Sequence, residues 1–283
     1  MKQKQETALS VFFSQFPKLL LAGAMFSAIA TIFMTLTIGL SGILAGATGI
    51  AGFNSIFLWA LGIIPTTIFY AGLVKVVRKY AVEKEFVPVV PLFFKTVKEN
   101  VKGFLVNGII VYLVTSCSFY ALLFYFSLME VQQAYGIVLT VYSFFTVLLI
   151  IMLFYVPLMS VTYELRYRDV YKNALYLAFK KIGTNLLTLL MAAVFIVGGV
   201  AAVLFLHGTW KIVAAVLAIA LVPLIVSYIV VSMISKGVQE NVGYFVKSKM
   251  HRNQAIAQEA AEEPAIERNL ENSEDDYIFV NGK

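Results

Sequence analysis

Long stretches without any charged residue are the feature that most restricts how this chain can fold. No Asp, Glu, Lys or Arg occurs in the 56 residues between Lys18 and Lys75. A helix needs only about 20 apolar residues to cross the hydrocarbon core of a bilayer. Glycines crowd the middle of this window, at residues 41–55, and predict a turn there. The window therefore predicts two membrane spans, at about 19–41 and 55–74.

Four further charge-free windows follow, and each is long enough for one span. They cover residues 103–129, 131–163, 182–210 and 212–235. Only 13% of the chain is charged, about half the share found in soluble domains. The sequence therefore predicts an all-α, polytopic membrane helix bundle in a domain at 1–247, followed by a cytoplasmic, largely disordered tail at 248–283. The six predicted transmembrane helices lie at about 19–41, 55–74, 103–127, 137–162, 184–208 and 212–235.

Lysines and arginines predict the orientation of the bundle, because they resist translocation across the membrane. Of the 22 in the chain, every one except Lys211 lies in a terminal segment or in the second or fourth connection. A path of six spans places all of these segments on one side, so both termini are predicted to be cytoplasmic. The net charge of +6 predicts contact with an anionic inner leaflet and no nucleic-acid partner, because the charges flank apolar spans.

The two long inner connections carry the spacing of short amphipathic helices. The predicted apolar stripes are Phe93, Val97, Val101 and Phe104 in the first connection, and Tyr171, Leu175, Ala178 and Ile182 in the second. Two interpretations remain open for these helices. They either lie among lipid head groups, which we favour from composition, or form docking surfaces for a partner helix.

Two similarities along the chain predict a repeated two-helix unit of parallel type. The second, fourth and sixth spans each contain one proline, which is expected to bend the helix near its middle. These prolines are Pro65, Pro157 and Pro223. The inner connections also share the pattern Phe-Lys-x-(Val/Ile)-x-x-Asn, which begins at Phe94 and at Phe179.

The spans offer few groups for chemistry. They contain no Asp, Glu, Lys or Arg, and the two histidines of the chain are isolated, so we predict no catalytic, cofactor-binding or metal site and no cofactor. Asn54, Asn107 and Asn185 are interpreted as interhelical hydrogen-bonding groups. The single cysteine, Cys117, stands among small residues and is interpreted as part of a helix-packing face rather than as a reactive thiol.

Charged and aromatic residues in the inner segments are the candidates for contact with another protein. Glu164 and Arg168 would form an i, i+4 pair if the fourth span continued through them. This group is either a charged helix end that anchors the span or a contact for a cytoplasmic protein. Tyr277 and Phe279, near the end of the tail, fit either a short peptide ligand or an unbound end. The candidate partner contacts are Glu164, Arg168, Lys95, Lys98, Asn100, Tyr277 and Phe279.

Several short motifs punctuate the apolar helices. They are Ile64-Pro65, Val76-Val77-Arg78-Lys79, Phe93-Phe94-Lys95, Lys98-Glu99-Asn100, Tyr155-Val156-Pro157, Tyr163-Glu164 and Lys172-Asn173-Ala174. Together they resemble the YesL-like family of bacterial multipass membrane proteins, a family of unknown function. The resemblance covers Phe12 to Lys236. It implies a bacterial plasma-membrane protein that is associated with carbohydrate uptake and has permease subunits of an ABC transporter as partners.

The sequence and the resemblance together predict an integral membrane protein that is not an enzyme. Its leading function is that of an accessory or assembly partner of a carbohydrate uptake system of the ABC type. A membrane permease or facilitator acting on its own is the alternative, because bent helices in repeated positions suit a central cavity.

Overall fold

The computed structural model of the chain describes residues 8–50, 52 and 55–243. Within them, six helical stretches are long and apolar enough to cross a membrane, which confirms the all-α, polytopic bundle. The helices are α1 (Ala8–Ser14), α2 (Phe16–Thr48), α3 (Ile56–Ala60), α4 (Ile63–Arg78), α5 (Val89–Val131), α6 (Tyr135–Thr162), α7 (Tyr167–Lys180), α8 (Ile182–Phe205) and α9 (Gly208–Val238). The chain up to Val238 forms one compact unit, and a second unit begins at Gln239. The predicted tail lies outside the described residues.

The beginning of the described chain and the end of α9 lie at the same end of the bundle. The ring of Phe12 in α1 packs on the ring of Tyr228 in α9, with 4.8 Å between centroids. The ammonium of Lys18 lies over the rings of Tyr80 and Phe86, which follow the end of α4, at 5.7 and 5.1 Å. We call this lysine-rich end the inner end, and it is the end predicted to face the cytoplasm.

The first connection is shorter than the sequence predicts. The glycines between residues 41 and 48 are part of α2, which continues to Thr48 instead of ending near residue 41. A helix satisfies its own backbone hydrogen bonds, and the need to do so in a membrane outweighs the low helix propensity of glycine. The helix ends at Gly49, whose φ of 67° is a left-handed conformation that glycine adopts without strain.

The second span is interrupted at residues 61–62, between α3 and α4, shortly before Pro65. Pro65 lies in the first turn of α4, where its missing N–H costs no hydrogen bond. The break is covered by α2, because the hydroxyl of Thr37 donates to the carbonyl of Trp59 at 2.9 Å. Such neighbouring hydroxyls make a helix break tolerable in a membrane. The other two prolines do lie inside their helices, α6 and α9.

The first inner connection was expected to form a separate amphipathic helix. It is instead the beginning of α5. The 43 residues of α5 span about 65 Å at 1.5 Å per residue, roughly twice the thickness of the bilayer core. Most of its predicted apolar stripe packs inside the bundle, although Val101 is 39% exposed. Phe93 is fully buried, and its ring lies against the backbone of Gly72 in α4. The structure therefore packs the beginning of this stripe against α4.

The second inner connection contains a separate amphipathic helix, α7, but its buried face differs from the predicted stripe. The residues that pack into the bundle are Val170, Ala174, Leu177 and Ala178. Leu175 and Ile182 of the predicted stripe are instead 46% and 40% exposed. Apolar residues occur on two faces of α7, so spacing alone could not decide which of them packs inward.

The small residues in the middle of α5 also pack differently from the prediction. Ser116 and Ser118 are buried, whereas Cys117 between them is exposed. Because successive residues of a helix point about 100° apart, only one side of this segment can face the neighbouring helices. The helix-packing role predicted for this segment therefore belongs to the two serines.

Candidate functional site

A polar cavity of about 880 Å³ opens at the inner end of the bundle. Its walls are residues 98–104 of α5, the last turn of α6, the connection from α6 to α7, and the start of α7. Lys75 of α4 also lines it. Three of the predicted contact residues, Lys98, Asn100 and Glu164, lie on these walls. The fold thus brings together candidates that are more than 60 residues apart in the sequence.

Lys75 joins α4 to the end of α6 at this cavity. Its ammonium donates a hydrogen bond to the carbonyl oxygen of Val161 at 2.9 Å. The last four carbonyls of a helix lack partners within the helix, and the C-terminal end of the helix dipole favours a cation. Lys75 therefore caps α6 where the chain leaves the membrane-spanning segment.

The first two turns of α7 are fixed against α5. The hydroxyl of Tyr167 lies so close to Gly103 that a β-carbon there would be 3.0 Å from it. One turn further along, the hydroxyl of Tyr171 donates to the side-chain oxygen of Asn107 at 2.9 Å. Burial raises the pKa of Tyr171 to about 12, so this hydroxyl remains a donor at neutral pH. These contacts fix the start of α7, which forms part of the cavity wall, against α5.

Asn185 at the start of α8 fixes the other end of α7. Its side-chain nitrogen donates to the carbonyls of Leu177 and Ala178, at 3.0 and 2.9 Å. Its side-chain oxygen accepts from the hydroxyl of Tyr155 at 2.5 Å. Asn107 and Asn185 thus make the interhelical hydrogen bonds predicted for them, whereas Asn54 lies outside the described residues.

The predicted helical pair of Glu164 and Arg168 is wrong. Helix α6 ends at Thr162, and Tyr163 is extended, with φ −130° and ψ 141°. The two side chains therefore lie on either side of a bend rather than one turn apart on one helix, and both are exposed. In the part of the chain that the structure describes, no ion pair joins them.

Of the remaining predicted contacts, two lie on α5 and two lie outside the described residues. Lys95 lies one turn before the cavity wall, with its side chain 73% exposed and 4.0 Å from the carboxylate of Glu99. Asn100 uses its side-chain nitrogen within its own helix, where it donates to the carbonyl of Thr96 at 2.9 Å. Tyr277 and Phe279 lie outside the described residues, so their role stays a prediction.

A cluster of ion pairs surrounds the inner end of α4. A π turn at Lys79–Glu83 follows the helix, and Glu83 pairs with Arg78 at 2.9 Å and with Lys79 at 2.5 Å. Lys79 also pairs with Glu85 at 2.6 Å. Arg78 and Lys79 therefore have acidic partners, whereas no ion pair of Lys98 or Lys102 occurs among the described residues.

A second large cavity lies away from the inner end, between α2, α8 and α9. It has a volume of about 590 Å³ and an almost wholly apolar lining, which includes Ile38, Ile196 and Ile219. Over the described residues, no three His, Cys, Asp or Glu side chains are grouped so that they could hold a metal ion. The inner cavity is therefore the more suitable of the two for binding a polar or charged group.

Sequence reasoning missed Lys75, Glu99, Lys102 and Tyr167 as parts of this site. The spacing of Gly103 and Asn107 on α5 matches that of Tyr167 and Tyr171 on α7, four residues in each case. That match was a usable signal, because residues four apart share a helix face, but nothing in the sequence showed that these two faces meet.

No family model, curated protein or solved structure matches this chain. The resemblance to the YesL-like family therefore stays a prediction from its motifs. What the structure establishes is a multipass membrane protein with a polar cavity at one end of six spans.

Proposed function

We propose that this protein is a non-catalytic accessory subunit of a carbohydrate uptake system of the ABC type in the bacterial plasma membrane. The single observation that carries the proposal is the inner rim, which we define as the exposed side chains of Lys95, Lys98, Glu164 and Arg168. Two separate connections contribute these residues, and the fold places them on or within one turn of the wall of one cavity.

The inner rim has two physical properties of a protein contact. It carries exposed charges of both signs, which can select a partner with the complementary pattern and reject others. The helices around it are also held together before binding, by the hydrogen bonds of Lys75, Tyr171 and Asn185. A pre-organised surface loses less conformational entropy when a partner binds.

The resemblance supplies the class of partner. It implies that the permease subunits of a carbohydrate transporter are the proteins that this chain accompanies. The distribution of lysine and arginine predicts that the inner rim faces the cytoplasm, as the ATP-hydrolysing subunits of such a transporter do. The rim then acts as a contact in assembly, with the six spans holding it at the membrane surface.

Charge reversal combined with crosslinking tests this proposal. The variant carries Glu164→Lys and Arg168→Glu, and the matched control is Lys211→Glu, an exposed cation at the opposite end of the spans. After mild crosslinking in cells growing on a glycan, we expect the wild type and the control to recover a permease or ATP-hydrolysing subunit. Recovery with the double variant should fall about tenfold, because opposed charges replace complementary ones.

Two results would overturn the proposal. One is the absence of any transporter subunit among the proteins crosslinked to the wild type; the other is equal recovery with the double variant and the wild type. Uptake of a labelled oligosaccharide by vesicles that contain this protein alone would replace the accessory role with that of an independent permease.

A further inference from the structure

We propose that the inner cavity is a phosphate-binding site at the membrane surface, whose ligand is the phosphate group of a phospholipid head group or of a soluble phosphate ester. This inference goes beyond the accessory function and requires no protein partner. It is carried by the lysines of the cavity, the depth of the cavity and the balance of its charges.

Three lysines from two helices surround the cavity. Lys98 and Lys102 stand one turn apart on α5, and Lys75 enters from α4. Lys75 uses one of its three donors on the carbonyl of Val161. A lysine ammonium is a strong partner for phosphate oxygens, and basic pockets between transmembrane helices on the cytoplasmic side are known to bind phospholipid head groups.

The depth of the cavity matches that of lipid phosphates. On α5 the wall begins at Lys98 and ends at Phe104, and the charge-free window of that helix begins at Gly103. On α6 the wall is the last turn, Ser160 to Thr162. The cavity therefore lies where apolar spans give way to charged segments, which is the head-group region of a bilayer.

The charge balance favours a ligand with one negative charge. Glu99 and Glu164 also line the cavity, so its ionisable side chains sum to one formal positive charge. The phosphodiester of a phospholipid carries one negative charge, whereas a phosphate monoester carries nearly two at neutral pH. The two carboxylates can in addition accept hydrogen bonds from hydroxyl groups of a head group such as glycerol. These features point to the lipid as the source of the phosphate.

Titration of the purified full-length chain in detergent tests the site, with bound lipid measured by native mass spectrometry. The probes are short-chain phosphatidylglycerol, phosphatidylcholine of the same chain length, glycerol phosphate and inorganic phosphate. The variant carries Lys98→Gln and Lys102→Gln. The control is Lys172→Gln, which removes an exposed lysine of α7 that belongs neither to the cavity wall nor to the inner rim.

We expect phosphatidylglycerol to bind the wild type and the control within twofold of each other, and to bind the double variant about thirtyfold more weakly. Val101→Glu, which places a carboxylate on the cavity wall, is expected to weaken binding as strongly without removing any lysine. All three substituted side chains are exposed, so we expect both variants to fold. Unchanged unfolding temperatures would establish this.

The probes distinguish the two sources of phosphate. Displacement of phosphatidylglycerol by glycerol phosphate or inorganic phosphate at similar concentrations would support the phosphate site but exclude the lipid as its specific ligand. Equal binding of phosphatidylglycerol and phosphatidylcholine would overturn the assignment of the carboxylates. Unchanged binding to the double variant, or equal weakening in the Lys172→Gln control, would overturn the proposal as a whole.

Discussion

The pattern Phe-Lys-x-(Val/Ile)-x-x-Asn occurs twice in this protein and adopts two different structures. The residues that begin at Phe94 lie inside one unbroken helix, α5, whereas those that begin at Phe179 contain the break between α7 and α8. The break falls at Lys181, with φ −112° and ψ 35°. Both segments enter a membrane span directly, so their position in the chain does not explain the difference.

The asparagine that ends each pattern accounts for much of the contrast. Asn185 is fully buried, and it satisfies two carbonyls of α7 next to the break. Asn100 is half-buried and bonds only to a carbonyl of its own helix, four residues earlier. A helix break near a membrane is tolerated when other groups satisfy the freed backbone. The lesson is that a shared motif predicts a shared composition, not a shared backbone path.

The largest effect is expected from Asn185→Ala. This change removes the amide that donates to the carbonyls of Leu177 and Ala178 and leaves the buried hydroxyl of Tyr155 without its acceptor. It should lower the free energy of unfolding by about 3 kcal/mol. Asn100→Ala is the matched control, and its effect should stay within about 0.5 kcal/mol. Denaturant titration in mixed micelles measures both. Similar losses of unfolding free energy in the two variants would show that the two asparagines do not differ in their support of the backbone.

Gly72→Ala tests whether the beginning of α5 is a packed part of the core. The new β-carbon would lie 2.7 Å from the ring of Phe93, and overpacking of this kind should cost about 2 kcal/mol. Gly183→Ala in α8 is the control, because no atom lies within 4 Å of the added carbon. The control should be neutral or slightly stabilising. A neutral Gly72→Ala would mean that the beginning of α5 is not tightly packed against α4.

Lys75→Met should destabilise the end of α6 by about 1 kcal/mol, through loss of the cation at the helix C-terminus. Hydrogen exchange is the suitable measurement, because fraying should be confined to the last turn of α6 and the residues that follow it. Lys95→Met is the control, since the Lys95 ammonium is 4.0 Å from its acidic neighbour and largely exposed. Equal rates of hydrogen exchange in both variants would contradict the capping of α6 by Lys75.

The smallest effect is expected from Tyr171→Phe, which removes the hydrogen bond between α7 and α5. Interhelical bonds of this kind contribute about 0.6 kcal/mol in membrane proteins. Because burial raises the pKa of Tyr171 from 10.0 to about 12, its contribution is complete below pH 10 and is lost as the pH rises through 12. Between pH 8 and pH 11.5 the wild type should therefore lose about 2 kcal/mol of stability relative to Tyr171→Phe. This loss exceeds the contribution of the hydrogen bond, so the variant should be the more stable protein at the higher pH. A constant difference would contradict this reasoning.

Much of the fold followed from the sequence alone. The fourth span was predicted at 137–162 and is Tyr135–Thr162, and the fifth was predicted at 184–208 and is Ile182–Phe205. These boundaries are predictable because a bilayer admits only helices or closed barrels, and the charges mark where each helix leaves it. Asn107 and Asn185 were also recognised as interhelical groups, since a buried amide needs partners.

The candidate site was predictable only in part. Lys98, Asn100 and Glu164 were chosen for their polarity and do line one cavity. Their proximity, and the presence of Lys75 beside them, depends on how α4, α5 and α6 pack. The pairing of Glu164 with Arg168 failed because the prediction extended α6 past Thr162, where no local signal of helix termination was recognised.

The sequence by itself determined that the chain crosses the membrane six times and which end carries the charges, because both properties follow from local composition and the thickness of a bilayer. Only the tertiary structure decided where helices continue or break. Thr37 of α2 donates to a carbonyl beside the break before α4, and Asn185 at the start of α8 donates to carbonyls at the end of α7. A backbone break is stable only where a neighbour supplies the missing hydrogen bonds, and the identity of that neighbour is a property of the packed bundle.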